Sequence, residues 1–320
     1  MKLNSLFNNR IPVFLAPMAG VTDAPFRELV SKFGVSATVS EMISSEALTR
    51  NSRKTYKRLV DSNNVNIVQI MGSNPKLMSQ SAKISEDNGA DIVDINMGCP
   101  VKKIVNNNSG AALLKDERLA VAIAEMVVKS VKVPVTVKMR LGWDSSSKNF
   151  RNLAKQFESV GVRMISIHCR TRTQMYSGIA NWKEICDLEE IIQIPYLVNG
   201  SICNYEDAQH ALTLSQAQGI MIGRAALGHP WFLNQILKKI NFQKEVPSPS
   251  LEDRYKIIME HFQNTLSFYG VDHGIKIFRK QFCWYSSGMS GAANFRDKIN
   301  QATDVHTIEL LVNNFYANHF

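Results

Sequence analysis

Short apolar runs recur at fairly regular spacing along the first two thirds of the chain, each bounded by turn-forming or polar residues. They are Pro12–Ala16, Ala37–Glu41, Asn66–Ile70, Asp91–Ile95, Pro134–Lys138, Met164–His168, Pro195–Asn199 and Gly219–Gly223. Between most of them lie segments with helical period, such as Pro75–Asn88, Ala111–Ser130, Phe150–Val160 and Tyr205–Leu214. Eight strands alternating with helices predict an α/β chain closed into a (β/α)8 TIM barrel. An open doubly wound sheet is the main rival, weakened because no GxGxxG follows the first strand. The composition breaks at Asn241–Ser250, where Pro247-Ser-Pro-Ser250 reads as a linker. Beyond it the pattern is helical without clear strands, most plainly at Tyr255–Phe262 and Thr307–Val312. The expected organisation is a barrel over residues 1–242 and a small all-helical C-terminal domain over residues 243–320.

The barrel reading directs attention to the carboxyl end of each strand, the face where such folds carry chemistry. The first strand runs into Pro17, Met18 and Ala19 before Gly20, small residues that let a flat ligand approach the backbone. The third carries Gln69, an amide that donates and accepts. The fourth stops near Asn96, with Cys99 three residues on between Gly98 and Pro100. Lys138 and Arg140 flank the end of the fifth, and His168 ends the sixth, with Arg170 and Arg172 after it. Asn199, Gly200 and Ser201 follow the seventh, and Gly223 and Arg224 the eighth. Glycine turns after the last two strands are a common phosphate seat in barrels, where backbone N–H groups and an arginine face an anion. A phosphate seat plus polar groups along the mouth points to a phosphorylated cofactor lying across it, with FMN the natural candidate.

Composition narrows the class. The chain has 320 residues, 45% hydrophobic and 20% charged, as in a globular protein with a sizeable core. The formal net charge is +9, which favours an anionic partner such as nucleic acid. Residues 243–320 hold 8 Lys+Arg and 8 Asp+Glu, so the excess belongs to the barrel portion. Arg50, Arg53, Lys54, Lys57 and Arg58 form a dense basic cluster, Lys102 and Lys103 sit beside Cys99, and Lys276, Arg279 and Lys280 form a patch in the tail. The five cysteines are odd in number and none has CxxC spacing, which argues against a disulfide framework or a zinc site and fits a reducing cytoplasm. No apolar run is long enough to span a membrane. Ile11–Val21 mimics a signal-peptide core but is better read as the first strand entering its glycine turn.

Taken together, Ala16-Pro-Met-Ala-Gly20, Asn96-Met-Gly-Cys-Pro100, Val137-Lys-Met-Arg140, His168, Asn199-Gly200 and Gly223-Arg224 resemble the tRNA-dihydrouridine synthases over nearly the whole chain. Trp231 after Gly228-His-Pro230, and Phe278-Arg-Lys280 in the tail, resemble the bacterial DusB-like branch. The resemblance implies an FMN barrel that reduces a uridine in the tRNA D-loop, with NADPH as reductant, no metal and no obligate protein partner. By analogy, Pro17, Met18 and Ala19 lie along the flavin ring, while Gln69, Lys138 and His168 meet its polar edge. Asn199, Gly200, Ser201, Gly223 and Arg224 hold the phosphate. Relatives often carry Asp where Ser201 stands, which leaves that side chain's role open. Saturating the uracil C5–C6 bond needs a proton donor opposite the flavin; Cys99 is the expected acid, with Asn96, Arg140 and Tyr176 around the base. The alternative is an FMN barrel of the dihydroorotate dehydrogenase type acting on a free small molecule, which needs neither basic clusters nor tail.

Overall fold

The computed structural model describes residues 5–7, 10–50, 59 and 65–317. Its strands are β1 Val13–Leu15, β2 Ala37–Val39, β3 Ile43–Ser44, β4 Asn66–Met71, β5 Ile92–Met97, β6 Val135–Arg140, β7 Met164–His168, β8 Tyr196–Asn199 and β9 Gly219–Ile222. Every pairing is parallel, and β2–β4 together with β1–β9 closes an eight-stranded ring, the two-residue β3 lying along β4 as an addition. A TIM barrel is thus what forms.

Side chains alternate across a strand, so the inward positions stack in layers. Phe14, Ile67, Ile92, Met164 and Leu197 form an apolar plug in a buried cluster of their own. Toward the carboxyl ends polar residues appear among the apolar ones. The register sets Gln69 opposite Asp94, Asn96 opposite Lys138, Arg140 opposite His168, and His168 opposite Asn199. These side chains are brought to one end of the ring by register alone. The larger core lies between the strands and their surrounding helices.

Three local readings need correction. β5 continues through Asn96 to Met97, because the ladder to β6 persists through Asn96–Lys138 and Met97–Met139. The helix expected from Ala111 divides into a 3₁₀ segment, Gly110–Lys115, and an α-helix, Glu117–Ser130. Asp116 causes the break, since its carboxylate accepts from Leu119 N at 3.0 Å and so starts the second helix. Lys102–Val105, to which the sequence pattern assigned no element, makes one helical turn.

The tail consists of helices Leu251–Tyr269, Val271–Tyr285, Ala292–Gln301 and Val305–Ala317. Ser250 caps the first, accepting from Asp253 N at 3.1 Å. Their apolar faces meet around Phe262, Phe278, Phe282 and Phe295, a core separate from that of the barrel. A seam joins the two. Phe26 of helix Ala24–Lys32 packs on His261, and the Tyr269 hydroxyl donates to Asp23 at 3.1 Å. Lys32 pairs with Glu260, and Gly228 sits so close to Trp284 that a Cβ would lie 2.5 Å from its carbonyl oxygen. Among the described residues no helix is long and apolar enough to cross a membrane.

Candidate active site

A cavity of about 1010 Å³ opens at the carboxyl end of the barrel. Every site residue proposed from the sequence lines it. Pro17, Met18 and Ala19 come from the β1 loop, Gln69 from β4, and Asn96 and Cys99 from β5 and its turn. Lys138 and Arg140 come from β6, His168 from β7, and Tyr176 from the loop beyond. Asn199, Gly200 and Ser201 follow β8, and Gly223 and Arg224 follow β9.

The lining holds Lys138, Arg140, Arg170 and Arg224 but no carboxylate. Lys138 is buried, and its ammonium donates to Asn199 Oδ1 at 3.0 Å. Burial, then the neighbouring Arg140 charge, pulls its pKa down to about 8. His168 is held well below its ordinary pKa by burial and by the same cations. Arg170 Nη1 donates to His168 Nε2 at 3.0 Å. A guanidinium can only donate, so the neutral ring carries its proton on Nδ1. No protein acceptor takes the N–H groups of Gly200, Ser201 or Gly223 among the described residues. Cations without acids, and backbone donors without acceptors, suit an anionic, phosphorylated ligand.

Ser201 has a positive φ of 58°, and its hydroxyl accepts from Arg170 Nη2 at 2.7 Å and Ala180 N at 3.2 Å. That side chain ties two loops together. Gly200, at φ +114°, is needed for fit as well as flexibility, because a Cβ there would lie 2.8 Å from the His168 ring.

The Cys99 turn is held from three sides. Asn96 Oδ1 accepts from Gly98 N at 3.2 Å and Cys99 N at 3.0 Å. Cys99 O accepts from Ala111 N at 3.0 Å. Arg140 Nε donates to Gly98 O at 2.8 Å. The thiol is half-buried, and burial raises its pKa above the ordinary cysteine value. It therefore holds its proton at neutral pH. Cys169 is fully buried and pushed up to about 12, an inert core thiol by comparison.

Some expected roles shift. Arg140 Nη1 donates to Thr171 O at 2.8 Å and Met175 O at 2.7 Å, so this guanidinium serves backbone carbonyls first. Tyr176 is 49% exposed, its ring 5.5 Å from the Arg140 guanidinium and 5.3 Å from that of Arg224. In the tail, Arg279 turns inward and donates to Ala302 O at 2.7 Å, so the surface patch reduces to exposed Lys276 and half-buried Lys280. Lys102 and Lys103 are exposed beside the Cys99 turn. Arg53, Lys54, Lys57 and Arg58 lie outside the described residues. Sequence reasoning gave no role to Asp94, Thr136 or Arg170, although Arg170 was visible two positions past His168. Among the described residues no cluster of His, Cys, Asp or Glu could hold a metal ion.

The family model described as Dihydrouridine synthase (Dus) matches residues 14–318. A probable tRNA-dihydrouridine synthase of Rickettsia bellii is 44% identical over 308 residues, covering 95% of this chain and 94% of the relative. The tRNA-dihydrouridine synthase B of Pseudomonas putida is 40% identical over 302 residues, covering 94% and 89%. Among solved structures, an old yellow enzyme homologue from Zymomonas mobilis superposes with a TM-score of 0.53 at 12% identity, over 77% of this chain and 94% of that one, a likeness of fold alone.

Proposed function

The chain belongs to the dihydrouridine synthase family, and on that premise we propose that it reduces the C5–C6 bond of a D-loop uridine in tRNA, using bound FMN, NADPH as electron source and Cys99 as proton donor. One observation carries this reading: a proton-holding thiol stands on the rim of a cavity edged by four cations and no carboxylate.

The residues fit FMN by the chemistry of their donors. Gly200, Ser201 and Gly223 offer unused N–H groups and Arg224 a charge for the phosphate, while Asn199 braces Lys138. Pro17, Met18 and Ala19 would flank the ring, and Gln69, Lys138 and His168 would meet its polar edge. Held there and reduced by NADPH, FMN would supply a hydride for uracil C6.

The chain's own groups do the rest. Cys99 Sγ–H delivers the proton to C5, which requires the thiol to stay protonated, the state that burial favours. Lys138 sets a positive charge at the cavity floor to offset negative charge gathering there. Arg170 fixes the His168 ring as a neutral Nδ1–H donor. Tyr176 and Asn96 line the cavity and would lie beside the base, Asn96 with its amide already bonded to Gln69 and to the Cys99 turn, and Arg140 holds that turn from behind. A stacked base cannot reach such a mouth, so the uridine must flip out of the RNA. Lys102 and Lys103 flank the entrance, and the tail over residues 243–320 acts as the docking domain through Lys276 and Lys280. A tRNA substrate and five cysteines without CxxC spacing support a place in the cytoplasm.

The test is direct. With NADPH and unmodified tRNA, mass spectrometry is expected to find a gain of two hydrogens at D-loop uridine, with free uridine untouched. Turnover of a free small molecule but not of tRNA would move the assignment to the dihydroorotate dehydrogenase type.

A pH prediction follows from Lys138. An anionic ligand prefers its protonated form, so FMN affinity of the flavin-free protein should fall as pH rises through about 8. In the ligand-free fold the sign is opposite. The depressed pKa means the unfolded chain binds more protons between about 8 and the ordinary lysine value, so this group's contribution to stability rises with pH across that window. Fluorescence titration of FMN from pH 6.5 to 9.5 should show the loss in the native protein and a flatter profile in Lys138→Met.

A further inference from the structure

The buried carboxylate of Asp94 stands well below the Cys99 turn, yet an unbroken chain of hydrogen bonds connects them. Thr136 Oγ1 donates to Asp94 Oδ1 at 2.6 Å, and Gln69 Nε2 donates to Asp94 Oδ2 at 2.6 Å. Asn96 Nδ2 donates to Gln69 Oε1 at 2.7 Å, and Asn96 Oδ1 accepts from the N–H groups of Gly98 and Cys99. Thr136 and Gln69 are fully buried, Asp94 and Asn96 nearly so.

The direction of this chain is forced from both ends. Backbone N–H groups can only donate, so Asn96 must turn its oxygen to them and its NH2 to Gln69. Gln69 must then answer with its oxygen, leaving its own NH2 to find an acceptor. A carboxylate oxygen of Asp94 is that acceptor, and although burial raises the Asp94 pKa, the bonds from Gln69 and Thr136 and the charge of Lys138 favour the ionised form, which carries no donor to be placed. A wrong group at position 94 reverses or breaks every amide up to the turn, and in a buried network each mismatch is costly.

We infer that Asp94 is a positioning residue for Cys99, setting the orientation of Gln69 and Asn96 and through them the backbone of the turn that carries the thiol. The inference rests on Cys99 being the proton donor. The competing account is that Asp94 merely balances the buried charge of Lys138 beside it.

Two substitutions separate them. Asp94→Leu keeps the bulk and removes the acceptor; Asp94→Asn discards the charge but still presents an oxygen to Gln69. The readout is iodoacetamide alkylation of the purified protein, resolved by peptide, with Cys186 and Cys283 as internal references. Asp94→Leu is expected to raise the Cys99 rate about tenfold through a loosened turn, and to lower kcat on tRNA about 10²-fold with KM unchanged, the usual cost of a small misplacement. Asp94→Asn should stay within about threefold of the native protein in both, since its acceptor survives. Should Asp94→Leu fail to fold, Gln69→Leu cuts the chain one link later and is expected to raise the Cys99 rate in the same way. Unchanged Cys99 alkylation in the Leu variants overturns the proposal, as does an Asn variant damaged as badly as Asp94→Leu. Alkylation requires no turnover, so failure of the native protein to reduce tRNA would sink the functional reading and leave this test standing.

Discussion

Cys99→Ala should lower dihydrouridine formation by about 10²–10⁴-fold, the range for loss of a placed general acid, with flavin content and tRNA affinity unchanged. The side chain is half-buried and its backbone is held by Asn96 and Ala111, so Ala removes the acid without disturbing the turn. Cys99→Ser should not restore the rate, because a hydroxyl is far weaker as an acid than a thiol. In the native enzyme the alkaline loss of rate should lie above the ordinary cysteine range, since burial raises this thiol. Single-turnover assays from pH 6 to 10 test both statements. An Ala variant within a few-fold of native would remove Cys99 from the mechanism.

Arg140→Met should be the most damaging change that touches no reacting atom. Its Nε and Nη1 satisfy the carbonyls of Gly98, Thr171 and Met175, and the side chain is 1% exposed. Orphaned acceptors cost about 1–3 kcal/mol each when buried, so a stability loss of about 2–4 kcal/mol is expected, allowing for partial hydration. Turnover should fall about 10²-fold as the Cys99 turn loses its support. Arg140→Lys should recover little, because an ammonium cannot span acceptors on two loops in one plane. Burial pulls this pKa down to about 10, so the group remains charged at neutral pH and removing it also lowers the cavity's positive potential. Denaturant unfolding and FMN retention separate the structural loss from the electrostatic one.

These two residues show what a sequence can and cannot disclose. Cys99 was legible because an apolar run, a glycine and a proline place it past a strand end. Lys138, His168 and Asn199 were legible for the same reason, since strand register then forces them onto one end of the ring. The commitments of Arg140 were not, because its acceptors at Thr171 and Met175 belong to a loop whose course depends on Met175 at φ +53°. Asp94 lay unremarked inside the run Asp91–Ile95, since within an apolar run nothing local distinguishes a partnered carboxylate from a strand-edge one. The tail patch was drawn from spacing along a helix, and Arg279 left it because Ala302, far along the chain, offered a carbonyl.

The seam between tail and barrel limits how these enzymes can be recombined. Tyr269 reaches Asp23, Glu260 reaches Lys32, and Lys280 stands close enough to Gly20 that a Cβ there would lie 3.1 Å from its ammonium. Gly20 also donates its N–H to Glu41 and closes the loop that begins at Pro17. A graft that exchanges tails between relatives would therefore disturb the loop that begins at Pro17 at the same stroke. Such a chimera has to carry Tyr269, Glu260 and Lys280 with the barrel they match, or inherit a distorted mouth.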